Sequence, residues 1–521
     1  MQPMTVKEIA AAVNGVWWNP REEVPVVSSI STDSRKLTPG CLFLPWVGER
    51  FDGHDYIDAA LDGGAAGCLC ARLPEKLRAD KFYIKVDDTR LALRALASAY
   101  RDQFPIPFVQ ITGSVGKTTT KEMIAAVLGA RFRTLKTPEN FNNDIGAPLT
   151  LLGLGSEHQA AVIETGMNHF GEIRYLGEMV RPDIAVISNV GDAHIENLGS
   201  REGILQAKCE ILENIKEGGA VVLNGDDALL NTVQCERRII RCGKSERCDV
   251  RVDEIGDHGI DGITCTVITG KDTYHLSIPA PGEHMVYSAS MAVAVGEELG
   301  LEHDEIVRGI AAYEPSGSRM RVVRLPEGRL LLDDCYNANP QSVTAALEVL
   351  AKTECDRTVA VLGDMGELGA LTNQAHYNMG ALASMLGIDF VVAIGEMAAR
   401  IADGTAISGG SVLHFATMEE AVSELREQLR REESDTFSEP TGELGETIGW
   451  KGVTFGVSGA MIDVYAIGNY RGRRGSPRRA ALVAAMVEYK HDNPWNRRAR
   501  EASRERINSI LAQELAIGGG E

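Results

Sequence analysis

The sequence predicts an α/β chain of three domains, and three observations carry that prediction. An apolar run (Phe108, Val109, Ile111) leads into the glycine-broken turn T-G-S-V-G-K-T, from which a helix opens at Lys117. Short apolar runs then alternate with helical-period segments through residues 105 to 318, as a parallel sheet requires. From Arg319 the strand, turn and helix design recurs three times without a glycine fingerprint of its own, which reads as a Rossmann-like unit. About a hundred residues with their own strand and helix signals precede all of this, so a first domain spans 1–104.

In that first unit, Thr5 to Val13 reads as a short capped helix, and Tyr56–Leu61 and Arg90–Tyr100 read as two more. Between them the turn S-T-D-S-R-K-L-T-P-G leads into an apolar strand, Cys41 to Leu44. Ser31, Asp33, Ser34 and Arg35 have the chemistry to hold a polar ligand such as a nucleotide, although hydroxyl-rich loops are often only turns. Pro105 and Pro107 then break the chain, the expected hinge before the central domain.

The central unit is built on the glycine turn. Gly113 and Gly116 let the backbone bend and aim N–H groups at an anion, and the helix N-terminus adds partial positive charge. Lys117 has the reach for terminal phosphates, and the Thr118 hydroxyl suits Mg²⁺. The usual Walker loop carries a glycine where Ile111 stands, so this is a variant loop. A strand, such a loop and a helix in succession imply ATP use. Further strands are Ala160–Glu164, Ile184–Ser188 and Ala220–Leu223. Ligands of parallel sheets gather at strand carboxyl ends, which singles out Glu164, Asn189 and, five residues on, His194. A carboxylate there is the better candidate for a divalent ion, since Mg²⁺ prefers oxygen ligands; His194 alone reads rather as an ordinary loop histidine.

Lys208 stands out. The helix after Ser200 has an apolar stripe (Ile204, Leu205, Ile211, Leu212), and Lys208 falls in the middle of it. A lysine there either snorkels to water or is used chemically, because a desolvated amine has a lowered pKa and can act as a base or take up CO₂. The loop T-P-E-N-F-N-N-D-I-G-A-P-L-T brings Asn140, Asn142 and Asn143, which usually make turns and also suit recognition of a peptide or phosphate. Residues 245–278 read as a small β excursion, and a helix returns over Pro279 to Leu299.

The third unit is expected over 319–470, with a helix at Val343–Leu350. Glu432 to Glu446 is acidic and reads as a linker; 471–521 is a basic tail carrying a charged helix, Asn496 to Leu515. The formal net charge of −20 argues against a general nucleic-acid binder, because phosphate backbones repel such a surface. The ten cysteines lack the paired spacing of a zinc site. The start has no apolar signal core and no run approaches spanning length, so a cytoplasmic protein with reduced thiols and no stable membrane insertion is expected.

With these residues in view, the sequence resembles the Mur ligases, the ATP-dependent amide-forming enzymes of peptidoglycan precursor synthesis and hence of cell-wall biogenesis. The resemblance covers residues 1 to about 430 and rests on motifs that occur in order. They are S-T-D-S-R-K-L-T-P-G with G-E-R-F-D-G-H-D-Y-I, T-G-S-V-G-K-T-T-T-K, N-F-N-N-D-I-G-A-P-L-T, E-T-G-M-N-H-F-G-E-I, G-D-A-H-I-E-N-L-G-S, D-C-Y-N-A-N-P-Q-S and L-G-D-M-G-E-L-G. N-F-N-N and Y-N-A-N-P favour the member that adds D-alanyl-D-alanine to UDP-N-acetylmuramoyl-tripeptide; D-N-P-R, expected of the sister that adds a diamino acid, is absent.

The resemblance implies roles. Ser31, Asp33, Arg35 and Gly48 would hold the uridine nucleotide of the substrate, making the first domain its binding domain. Gly113, Ser114, Gly116, Lys117, Thr118 and Thr119 would hold ATP, joined from the third domain by Arg319 and Asp334. Thr118, Glu164, His194 and a carbamylated Lys208 would serve two Mg²⁺ ions. Asn140, Asn142, Asn143, Asn337 and Asn339 would face the acceptor and the incoming dipeptide, with Lys117, Lys208, His194 and Asn337 taking part in the chemistry. A monomer is expected. The family ends its third domain with a strand followed by K-G-S-R; the nearest equivalent here, Phe455 to Met461, lacks both basic residues. That departure supports one alternative, a catalytically weakened relative acting as a binding or scaffold protein. A second alternative, a folylpolyglutamate synthetase-like ligase, lacks a separate first domain.

Overall fold

The computed structural model describes residues 1–20, 22–48, 51–325 and 329–424, together with three strands further on, Val453–Ser458, Met461–Ala466 and Ala484–Met486. The acidic stretch Glu432–Glu446 and the helix expected at Asn496–Leu515 lie outside the described residues. The fold is α/β throughout, with a separate sheet in each of three units.

The first helix forms over Val6–Ala12 because Thr5 and Glu8 make a reciprocal capping box, which satisfies two otherwise orphaned backbone donors. A five-stranded sheet runs in the order Val16–Trp18, Phe82–Lys85, Gly67–Cys70, Leu42–Phe43, Ile30–Ser31. The helix Thr89–Arg101 then leads to the central unit. The junction at Pro105 and Pro107, expected as a hinge, is buttressed. Tyr100, Phe104 and Phe108 are buried in one continuous core with Leu151, Leu154 and Val180 of the central unit. The Tyr100 hydroxyl donates to the Leu154 carbonyl at 2.6 Å, and Arg101 Nε to Val180 at 2.9 Å. Apolar side chains on both sides of the prolines override the local break.

The central sheet has nine strands. Its parallel part runs Thr134–Lys136, Ala160–Glu164, Phe108–Thr112, Ile184–Ile187, Ala220–Asn224, Arg238–Gly243 and Val250–Asp257. The strands flanking Phe108–Thr112 are fully buried and apolar at every position except the closing Glu164, as strands covered by helices on both faces must be. The β excursion is not a separate element: Ile263–Ile268 and Thr273–Ile278 extend this sheet antiparallel from its edge. Helices Lys117–Gly129 and Met285–Glu298 pack together over one face. The second begins later than expected because Gly282, at φ +99°, makes the turn after the prolines.

The third sheet runs Arg321–Arg324, Leu330–Asp333, Ala484–Met486, Val359–Gly363, Phe390–Ile394, Val412–Phe415, parallel apart from the first pair. Ala484–Met486 thus fills its centre from beyond residue 470, where the sequence reading ended the unit. Its run A-A-L-V-A-A-M is short and set among arginines, so composition hid it. Val453–Ser458, which holds much of the nearest equivalent to the family's closing strand (Phe455 to Met461), pairs with Met461–Ala466 as a two-stranded ribbon. The described third unit has its own apolar core. It meets the central unit through polar contacts such as Lys352–Asp257 at 3.0 Å and Arg324–Asp261 at 2.6 Å.

Candidate active site

A cavity of about 1770 Å³ opens at the carboxyl end of the central sheet and is walled by all three units. Its floor is the glycine loop. Gly113 allows no side chain: a Cβ there would lie 1.9 Å from Ser188 Oγ. Gly116 is left-handed, at φ +77°, and caps the helix Lys117–Gly129 with open space around it, so backbone N–H groups can approach a ligand. The neighbouring strand end clamps the loop. Asn189 Oδ1 accepts from the Val115 N–H and its Nδ2 donates to the Val115 carbonyl, both at 2.9 Å, while Ser188 Oγ donates to the same carbonyl at 2.7 Å. Ile111, at the place of the missing Walker glycine, is buried inside the strand, where no turn is needed.

Lys117 Nζ donates to the carbonyls of Gly113 (2.8 Å) and Ser114 (3.3 Å), so it sits folded over its own loop. Burial pulls its pKa down, against the opposing charge of Glu164. Ser114 Oγ and Thr112 Oγ1 are buried without a hydrogen-bond partner among the described residues. Orphaned hydroxyls, N–H groups and a cation at a helix N-terminus form a cradle for an anion. Thr119 also lines the cavity.

Glu164 closes its strand beside this cradle and is fully buried. Its Oε2 accepts from Thr118 Oγ1 at 3.0 Å and faces Lys121 Nζ at 3.8 Å; its Oε1 accepts from Asn142 Nδ2 at 2.9 Å. A carboxylate and a hydroxyl beside a phosphate cradle are a donor set that fits Mg²⁺. Among the described residues no cluster of three or more His, Cys, Asp or Glu forms, so further ligands would come from phosphates, water or a modified side chain. Asn140 and Asn143 line the cavity as well, and Asn143 Oδ1 accepts from the N–H groups of Ile145 and Gly146, starting the helix Gly146–Leu151.

Lys208 does not snorkel. It is 1% exposed on the helix Arg201–Cys209 and has no hydrogen-bond or ion-pair partner among the described residues. Burial drives its pKa well down, and the charge of Lys117 adds to this. It lies behind the cavity wall rather than lining it. His194 does line the cavity; its Nδ1 is buried and contacts the carboxylate of Glu367 from the third unit.

The third unit contributes Arg319, stacked 4.0 Å over the Tyr336 ring, and Asp334, whose Oδ1 accepts from the Met320 N–H at 3.0 Å. Burial pushes the Asp334 carboxyl up to about 7 despite the nearby guanidinium of Arg319. Asn337 and Asn339 line the same wall. Asn339 also caps the helix Pro340–Lys352 through Ser342, a role not foreseen from its sequence.

Ser31, Asp33 and Arg35 come together, away from this cavity. Ser31 Oγ donates to the Asp33 and Lys36 carbonyls, and Asp33 takes Arg35 in a two-pronged pair at 2.8 and 2.9 Å. Gly48 lies on a separate loop, its N–H donating to the Phe51 carbonyl. Glu367 is the residue that sequence reasoning passed over, although L-G-D-M-G-E-L-G contained it.

Comparison with known proteins gives a consistent picture. Residues 26–101 match the Mur ligase family catalytic domain, 111–296 the Mur ligase middle domain, and 318–436 the Mur ligase glutamate ligase domain. The UDP-N-acetylmuramoyl-tripeptide--D-alanyl-D-alanine ligase of Bacillus subtilis is 37% identical over 84% of this chain and 96% of its own. That of Escherichia coli is 38% identical over 77% and 87%. A crystal structure of MurF from Acinetobacter baumannii superposes with a TM-score of 0.76 at 33% identity, covering 83% of this chain and 93% of that one.

Proposed function

Since this chain belongs to the Mur ligase family, we propose that it joins D-alanyl-D-alanine to UDP-N-acetylmuramoyl-tripeptide, coupled to ATP cleavage, in peptidoglycan precursor synthesis. It is an amide-forming ligase. The observation that carries the substrate assignment is the cavity itself. The anion cradle, the Thr118–Glu164 pair and the asparagine loop on one side face Arg319, Asp334 and Asn337 of the third unit on the other.

In this reading the terminal carboxylate of the UDP-linked peptide attacks the γ-phosphorus of ATP, releasing ADP and leaving an acyl phosphate. Lys117 leaves its own loop carbonyls and neutralises the phosphoryl oxygens, where the Gly116 helix end also points. The dipeptide amine then attacks the acyl carbon, and the tetrahedral adduct expels phosphate to give the amide. Asn337 helps orient that dipeptide. Thr118, Glu164 and His194 would hold Mg²⁺, two ions in all; bound there, the metal would supply charge neutralisation at the transferring phosphate. Lys208 is the reason for a second ion: burial lowers its pKa and so favours the free amine, which can add to CO₂ with loss of a proton, converting an orphaned buried base into an oxygen ligand. Arg319 and Asp334 meet the nucleotide, and the turn of Ser31, Asp33 and Arg35 with Gly48 takes the uridine end. The three walls exclude water, which would otherwise hydrolyse the acyl phosphate.

We place it as a monomer in the cytoplasm, in keeping with ten free thiols; no described helix is long and apolar enough to cross a membrane. The scaffold and folylpolyglutamate synthetase-like alternatives are not favoured, because the Bacillus subtilis and Escherichia coli relatives are ligases of this one type. Phosphate release from ATP and Mg²⁺ is the test. Release that needs both the UDP-linked tripeptide and D-alanyl-D-alanine supports the assignment; nucleotide binding without turnover in their presence sinks it.

A further inference from the structure

We propose that Glu367 is a positioning residue for His194: arriving with the third unit, it fixes the imidazole through Nδ1 and leaves Nε2 as the ligand for a divalent cation. The proposal rests on the ligase reading above.

Three observations support it. The Glu367 carboxylate touches His194 Nδ1 across the boundary between units, the nitrogen being buried. The contact is an ion-pair contact rather than a hydrogen bond. Both residues are also left-handed without being glycine, His194 at φ +65° and Glu367 at φ +57°. Such backbone persists only where the surroundings over-determine it, and it concentrates at functional sites. Finally, Glu367 lines the same cavity as Lys117 and the glycine loop. The same loop packs onto the short helix Ile195–Leu198: a Cβ on Gly369 would lie 3.5 Å from the Glu196 side chain.

The chemistry follows from how imidazoles bind metals. A metal-bound histidine generally donates its second ring N–H to a carboxylate, which sets the tautomer and the ring plane. That partner usually sits beside the histidine. Here it is carried by a unit with a separate core, docked through polar contacts that can break. The cation site is then complete only while the third unit is docked. Docking also brings Arg319 to the cavity and shuts out water. Metal occupancy and closure become one event, and phosphoryl transfer waits for it.

Electron paramagnetic resonance of Mn²⁺ with a non-hydrolysable ATP analogue and the UDP-linked tripeptide tests this, beside steady-state Mg²⁺ titrations. Glu367→Gln should weaken one Mn²⁺ site by about 10–100-fold and lower kcat, with the KM for ATP at saturating metal little changed. Glu367→Asp should restore part of the loss. The double variant Glu367→Gln with His194→Ala should be no worse than His194→Ala alone. Wild-type Mn²⁺ binding in Glu367→Gln overturns the proposal, as do losses that multiply in the double variant. A rise only in the KM for D-alanyl-D-alanine also overturns it, since Glu367 would then serve the amine. A wild-type enzyme that releases no phosphate with both substrates defeats the ligase reading instead, whatever the Mn²⁺ spectra show.

Discussion

Asp334 offers a quantitative test of how the third-unit wall is built. The residue is 9% exposed, and burial raises its carboxyl pKa from 3.8 to about 7, opposed by the Met320 N–H and Arg319. Between those two values the folded chain holds a proton that the unfolded chain has released. Stability from this group therefore falls as pH rises from about 4 towards 7 and stays low above it. The gap between 3.8 and about 7, at about 1.4 kcal/mol per pH unit, sets an upper value of about 4 kcal/mol. Asp334→Asn keeps an oxygen for the Met320 N–H while removing the titration. The variant should melt higher than wild type above pH 7, and the two curves should converge near pH 4 to 5. A gain of even about 2 kcal/mol moves a domain of this size by several degrees. Thermal melts from pH 5 to 8.5 read this directly. Parallel curves for variant and wild type would show that Asp334 is ionised throughout, and the account of the site as a dry wall would fail. The same variant should weaken nucleotide binding, since stability and function pull apart at such positions.

Other outcomes follow from single contacts. Gly113→Ala, with its Cβ 1.9 Å from Ser188 Oγ, should push the loop off its strand and weaken binding of an ATP analogue by about 100-fold or more, measured by calorimetry; near-normal affinity would mean the loop is not the nucleotide cradle. Wild-type turnover should fall in CO₂-free buffer and recover with bicarbonate, whereas Lys208→Met should stay inactive in both; a fully active variant removes the carbamate from the mechanism. Arg35→Ala breaks the pair with Asp33 and should raise the KM for the UDP-linked substrate while leaving that for ATP alone, because the turn lies outside the cavity. Asn142→Ala leaves Glu164 Oε1 without its amide partner and should raise the Mg²⁺ requirement by about 10-fold.

The glycine loop, Glu164 and the oddity of Lys208 were legible because each signal is local, although the stripe left snorkelling and chemical use equally open for Lys208. Strand, turn and helix meet within a dozen residues, a carboxylate ends an apolar run, and a lysine interrupts a stripe of helical period. Local chemistry of that kind dictates backbone shape whatever surrounds it. The asparagines show where it stops: Asn142 braces Glu164, while Asn143 and Asn339 cap helices, and nothing in an N-F-N-N or N-A-N-P string separates those tasks. The proline junction was read as a hinge because prolines break helices, yet residues distant in sequence pack across it. Glu367 beside His194 and Ala484–Met486 between two earlier strands are further from legibility still. Such pairings are chosen by which surfaces meet when the units pack, and a polar loop or a three-residue strand has no periodicity that announces its partner. The chain's own order thus determined the phosphate chemistry and the α/β layering; only the packed molecule decided which third-unit side chains stand over it.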